Sequence, residues 1–332
     1  MEVLSVFFVF HSILLTSVSW KLLFGKVREK EDKIEKWHID FAASVQKFTE
    51  KTIFRILNNL YEQTKSDNVC ITGGVAQNSV VNGKILEETP FKNIYVPSAG
   101  HDAGTCIGSA LYLYNHILDN CRLPVIKTAY FGPRHSNKEI IDILQKADVK
   151  FSQVGNKELF DRVSEKLISG AVVGWFQGRA EFGPRALGNR SILVDPRRVD
   201  AKKLLNEKIK RRENFRPFAP SIIKEYMGDF FEIVDDTPFM EKVYKIKEEK
   251  HSIIPAVTHV DGTGRVQTVD AKYSPRYYKL ISTFMKKTGV PILLNTSFNE
   301  NEPIVNSPNQ ALDCFLRTKM DMLVMENVVI ER

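Results

Sequence analysis

Gly178-Arg179-Ala180-Glu181-Phe182-Gly183-Pro184-Arg185-Ala186-Leu187-Gly188-Asn189-Arg190-Ser191 places three arginines, three glycines and a proline within fourteen residues. Before it runs the strongly apolar Ala171–Phe176, and after it the short apolar Ser191–Val194. Short apolar runs bounded by Gly and Pro read as buried strands, so the segment is a rigid loop between two strands. Its guanidinium forks suit phosphate or carboxylate oxygens. Solvated surface charge is the bland alternative, but it does not require Gly-Pro stiffness beside closely spaced arginines.

C-terminal to this loop, helices are expected at Lys202–Lys210, Pro275–Lys287 and Pro308–Arg317, and strands at Arg265–Val269, Val290–Leu294 and Met322–Met325. Lys208-Ile209-Lys210-Arg211-Arg212-Glu213-Asn214-Phe215-Arg216 runs into the proline-braced Pro217-Phe218-Ala219-Pro220-Ser221. Several cations aimed at one place could neutralise a triphosphate as pyrophosphate leaves. Leu294-Asn295-Thr296-Ser297-Phe298-Asn299 closes a strand with four polar side chains, which can hold oxyanions or merely form an Asx or Ser turn.

On the N-terminal side, helices are expected at Lys138–Gln145 and Glu158–Ser169, and Phe41, Val45, Phe48, Ile56 and Leu60 form one apolar stripe of an earlier helix. Strands at Val69–Thr72 and Ile94–Val96 flank a helix at Ser79–Glu88. Gly73-Gly74-Val75-Ala76-Gln77-Asn78 closes the first strand, where glycines let backbone amides approach a phosphate; a plain strand-to-helix turn reads the same. Asp102, before the small-residue helix from Gly104, is either a cap or a ligand. Alternating strands and helices on both sides of a boundary near residues 120–133 make the chain α/β throughout.

The 332 residues are 43% hydrophobic and 26% charged, enough apolar material for cores without metal or disulfide staples. Cys70, Cys106, Cys121 and Cys314 are far apart, which excludes a Cys-x-x-Cys zinc site and fits a reducing, cytoplasmic setting. Twelve basic and five acidic residues lie between Arg179 and Arg216, an excess equal to the whole chain's +7. That cluster points to an anionic ligand. With only Phe182 and Phe215 as aromatics in that window, small phosphorylated substrates are favoured and no nucleic acid is expected. Val3–Trp20 carries no Asp, Glu, Lys or Arg but is broken by serines, a threonine and His11. It reads as a segment buried against protein, with a membrane anchor as the alternative.

Gly73-Gly74-Val75-Ala76 with Asn78, Asp102-Ala103-Gly104, Glu181–Ser191, Phe215–Pro220 and Asn295–Asn299 occur in the order seen in NodU-type O-carbamoyltransferases, which this chain resembles from about Lys21 to its end. The resemblance implies a partial actin-like ATPase (ASKHA) lobe over residues 26–125, shared with the tRNA threonylcarbamoyl transferases, followed by a YrdC-like α/β domain over 126–332; residues 1–25 would be an apolar remnant. It implies that the second domain joins carbamoyl phosphate and ATP, with Mg2+, into carbamoyl-adenylate with loss of pyrophosphate. Lys210, Arg212 and Arg216 match one basic segment, Arg185 and Arg190 the other, and Asn295, Thr296, Ser297 and Asn299 the polar loop. Lys210, Arg216, Arg185 and Arg190 are the expected catalytic set. Gly73, Gly74 and Asn78 match the adenylate-binding turn, and Asp102 a ligand of a divalent metal such as Fe2+. The acceptor would be a hydroxyl of a sugar or secondary metabolite, in a biosynthetic setting. The family also has an N-terminal lobe with a His-x-x-x-His pair, absent from His11, His38, His101, His116, His135, His251 and His259. A split-gene half or a late start is therefore expected, with a separate chain supplying that lobe. The alternatives are a carbamoyl-adenylate synthase needing that chain, and a non-catalytic RNA- or nucleotide-binding protein on a YrdC-like fold.

Overall fold

The computed structural model describes residues 28–29 and 32–332, so Val3–Trp20 lies outside the described residues. No described helix is long and apolar enough to cross a membrane. Two compact units divide between Ile56 and Leu57. The described part of the first is mostly the larger share of helix α1 (Lys36–Thr64). Val45, Phe48, Ile56 and Leu60, four members of the stripe seen in the sequence, are exposed, whereas Phe54 and Leu57 are buried. Periodicity identified the helix but not its covered face.

In the second unit β1 (Asn68–Cys70) and β2 (Asn93–Tyr95) pair in parallel, with α2 (Ser79–Glu88) as the crossover. Asn78 starts α2, its side chain accepting the Val81 amide proton, so the Gly-Gly turn ends in an ordinary helix cap. α3 (Thr105–Tyr112) continues into a wider turn at Leu113–Ile117, in place of one helix to Leu118.

Beyond it come α4 (Asn137–Lys146), β3 (Ser152–Gln153), α5 (Asn156–Ile168), β4 (Val173–Phe176), β5 (Arg190–Val194) and α6 (Ala201–Leu204). There follow β6 (Ala219–Ile223), α7 (Met227–Phe230), β7 (Lys242–Lys245), β8 (Thr263–Val269), α8 (Pro275–Thr288), β9 (Ile292–Ser297), α9 (Pro308–Arg317), β10 (Met322–Met325) and β11 (Val328–Glu331). Nine strands form one sheet in the order β3-β11-β10-β4-β5-β9-β6-β8-β7. Only β10–β4 and β6–β8 are parallel. The architecture is α/β with a mixed sheet.

Its centre is dry. Ile192, Leu193 and Val194 of β5 and Ile292, Leu293 and Leu294 of β9 are fully buried. Burying one such side chain contributes about 1.5–3 kcal/mol. Register decides where the loops go. Ser191 of β5 lies opposite Ser297 of β9, and Asn295 of β9 opposite Ala219 of β6. Ser221 of β6 pairs with Gln267 of β8 in parallel, so Ala219 is level with Arg265. The start of β5, the end of β9 and the starts of β6 and β8 therefore share one end of four adjacent strands. The four loops entering or leaving there are forced together.

Candidate active site

The loop from Gly178 to Asn189 is shaped by one carboxylate. Oε1 of Glu181 accepts the amide protons of Leu187 (2.7 Å), Asn189 (2.9 Å) and Arg190 (3.2 Å). Gly188 has φ of +107°, and a Cβ there would lie 2.2 Å from the Tyr277 ring. Gly183, at φ +145°, brings the loop against the Ser98 carbonyl, 2.4 Å from where a Cβ would stand. Glycine is required at both positions for reasons of backbone and space.

Arg190, one of the expected catalytic set, braces this scaffold. Nη1 donates to the carbonyls of Gln177 (2.6 Å) and Asn189 (3.0 Å), and Nη2 to those of Pro133 (3.2 Å) and Gly178 (3.3 Å). Its guanidinium lies 3.6 Å from the Phe176 ring centroid. Fully buried, it bolts the two ends of the loop together. Burial lowers its pKa to about 10, against the opposing pull of Glu181 and Glu326.

Asn295 is also interior rather than ligand-facing. Nδ2 donates to the Ala186 carbonyl (3.1 Å), Ser221 Oγ (3.0 Å) and Gln267 Oε1 (3.1 Å), and the residue is 1% exposed. It ties the underside of the loop to β6 and β8. The polar groups that face Lys210 are Ser297 and Asn299; Thr296, half-buried on β9, makes no side-chain hydrogen bond among the described residues.

Lys210 reaches these two across the end of the sheet. Nζ donates to the Ser297 carbonyl (2.5 Å) and Oγ (3.2 Å), and to the Asn299 carbonyl (2.8 Å) and Oδ1 (2.6 Å). It is 2% exposed, and burial, aided by repulsion from Arg212, lowers its pKa to about 7. The chain reaches this point through a wide turn, Leu205–Ile209, closed by the Lys210 amide on the Leu205 carbonyl (2.8 Å). One wide turn thus replaces the last part of the helix expected from the sequence. Buried Asn206 then braces the next stretch, accepting from Arg212 Nε (2.8 Å) and donating to the Arg216 carbonyl (3.1 Å). Arg212 lies 5.0 Å from the Phe218 ring centroid. Arg216 is exposed at the rim and paired with Glu213 (2.9 Å).

Arg265, at the start of β8, was not singled out in the sequence. Its pKa is lowered to about 9, first by burial and then by Arg185 and Arg212, so three guanidinia share one low-dielectric region. Its Nε is buried without a hydrogen-bond partner. Among the described residues Arg185 and Arg265 form no ion pair. Such mutual repulsion is the arrangement expected where a polyanion supplies the missing charge. The sequence signal was available: an arginine placed just after a Gly-containing turn at the start of a strand.

His259 lies beside it, its Nδ1 3.1 Å from Thr263 Oγ1. Burial lowers its pKa to about 4; Arg265 and Lys202 push the same way while Asp261 opposes. Its ordinary value is 6.5, so between pH 6.5 and 4 the unfolded chain binds a proton that the folded chain refuses. Stability therefore falls as pH drops through that window. Chemical denaturation at pH 7.5 and 5 should show a loss from this group of about 2 kcal/mol, which His259→Asn removes.

A cavity of about 760 Å3 opens beside this site, its wall including His101, Glu181, Gly183, Arg190, Asn299 and Glu302. Gly73 and Asp102 border another, more apolar cavity of about 540 Å3, with Ser98, Gly104, Ile107 and Leu111. Gly74 and Asn78 do not line it. No group of three His, Cys, Asp or Glu able to hold a metal occurs among the described residues. Asp102 alone does not fit a divalent ion.

The family description "Carbamoyltransferase C-terminus" matches residues 164–332, and "Carbamoyltransferase N-terminus" matches residues 6–111. Nodulation protein NolO of Bradyrhizobium diazoefficiens is 40% identical over 92% of this chain and 57% of its own length. The 3'-hydroxymethylcephem-O-carbamoyltransferase of Amycolatopsis lactamdurans is 33% identical over 79% of this chain and 49% of its own. P. abyssi Sua5, solved with L-threonine, is 14% identical over 53% of this chain and 48% of its own, with a TM-score of 0.39. The chain spans about half the length of the curated relatives it matches.

Proposed function

Because this chain belongs to the carbamoyltransferase family, we propose that its nine-stranded part uses water to cleave carbamoyl phosphate to carbamate and inorganic phosphate, joins the carbamate oxygen to the α-phosphate of ATP with Mg2+ to give carbamoyl-adenylate and pyrophosphate, and serves carbamoyl transfer to a hydroxyl of a sugar or secondary metabolite. The observation that carries this reading is the meeting of Lys210, Arg212, Arg185 and Arg265 at one end of four adjacent strands. Two polyanions repel, and bringing them together requires preorganised cations in a low-dielectric site. The relative named for carbamoylating a hydroxymethyl oxygen supports an oxygen acceptor. The YrdC-like and actin-like assignments, divided near residue 126, form part of the same proposal.

Transfer is proposed to use groups beyond the described residues, because a divalent metal at Asp102, Fe2+ being one candidate, requires further ligands. The test is release of pyrophosphate and AMP from ATP by the full chain. Turnover that depends on carbamoyl phosphate supports the reading. ATP left intact with and without carbamoyl phosphate, alongside RNA binding with a steep salt dependence, would replace it with the non-catalytic alternative.

A further inference from the structure

An open cavity of about 490 Å3 lies elsewhere on the second unit, its wall including Arg134, His135, Asn156, Arg276, Glu326 and Asn327. It shares no lining residue with the 760 Å3 cavity beside Lys210. Arg276 is held rigidly there. Nε donates to Gln177 Oε1 (2.9 Å), Nη1 to Asn156 Oδ1 (2.9 Å) and Nη2 to Asn327 Oδ1 (3.2 Å) and the Glu326 carbonyl (3.4 Å). Arg134 faces it from the segment before α4, exposed and without a hydrogen bond or ion pair among the described residues.

Burial lowers the pKa of Arg276; the Glu326 carboxylate opposes this and the neighbouring Arg134 guanidinium adds to it. One oxygen of each carboxylate in the wall is engaged locally. Glu139 Oε2 accepts from the Ser136 amide (2.7 Å) and hydroxyl (3.0 Å), and Glu326 Oε1 from the Gly178 amide (2.8 Å). Arg134 thus keeps its N–H groups and Arg276 one of its five for a guest, in a cavity within the size range of small-molecule sites. Asn137 and Asn156, in the first turns of α4 and α5, line it too, and those helix ends favour negative charge.

We propose that this cavity is a second oxyanion site, taking the phosphate group of inorganic phosphate or of a phosphomonoester, separate from the Lys210 site. The wall also reaches the stem of the Glu181 loop. Arg276 holds Gln177, and Glu326 holds Gly178; the carbonyls of Gln177 and Gly178 are two of those that clamp Arg190. An occupant braces that stem from outside.

The test is calorimetric titration of inorganic phosphate, and separately of AMP, into the full chain carrying Arg212→Ala and Arg265→Met, which weaken the first site. One phosphate-group site should remain. Arg134→Ala, a change at an exposed side chain outside the core, should weaken it about tenfold or more, and Arg134→Lys should restore part of the loss. Arg276→Gln should act in the same direction. AMP and phosphate competing for that site assigns a phosphomonoester guest; phosphate alone binding assigns the free ion. No binding at millimolar phosphate, or binding indifferent to Arg134, overturns the proposal. Absence of carbamoyl-phosphate-dependent turnover with Arg134-dependent binding retained overturns the proposed function and leaves this one standing.

Discussion

Arg265→Met is expected to lower carbamoyl-phosphate-dependent pyrophosphate release by about 100-fold or more, the scale of losing one preorganised charge donor. The same substitution should leave the thermal midpoint unchanged or raise it. The wild-type side chain has a buried, unpartnered Nε and is repelled by Arg185 and Arg212. Methionine removes that repulsion while retaining much of the apolar stem. A site that is costly when empty is the signature of groups arranged for a ligand rather than for folding. Turnover within threefold of wild type would remove Arg265 from the site, and a sharp fall in midpoint would make it a structural residue.

Lys210→Ala should lose turnover on the same scale but move stability the other way. Its ammonium answers four oxygens of Ser297 and Asn299; alanine leaves the Asn299 carbonyl with no donor among the described residues, while the Asn299 amide still bonds the Ser297 carbonyl (3.0 Å) and Ser297 Oγ still bonds Asn299 Oδ1 (2.7 Å). The cost of such unsatisfied groups is about 1–3 kcal/mol. Denaturant midpoints of the two variants, measured beside their pyrophosphate release, should therefore diverge. Equal stability changes in both would show that the cluster is not divided between a caged cation and exposed, repelling ones.

Local patterns were legible wherever chemistry acts at short range. α2 at Ser79–Glu88, α9 at Pro308–Arg317 and β10 at Met322–Met325 have the bounds read from the sequence, because caps, an N-terminal proline and an apolar run mark them. The four-residue β7 and β11 carry little periodicity, and neither was identified. The exposed apolar stripe on α1 could not be oriented, since periodicity records which residues share a face and nothing about what covers it.

The site was legible as a set of words and illegible as an arrangement. The basic loops and the Ser297-Phe298-Asn299 turn were found because they are compact in sequence. That Arg190 and Asn295 hold the loop, while Arg265 joins Arg185 and Arg212, is a product of register across β5, β9, β6 and β8. Those pairings connect residues up to about a hundred positions apart, where residue type alone cannot distinguish a clamp from a ligand.

The Leu205–Ile209 turn makes chain length there as restrictive as side-chain identity. Adding one further residue to this already widened turn would rotate the downstream residues by about 100° around the axis. Lys210 and Arg212 would swing off the end of the sheet together, with every side chain of the site still encoded. Natural length variation should accordingly accumulate on either side of this turn and spare its interior.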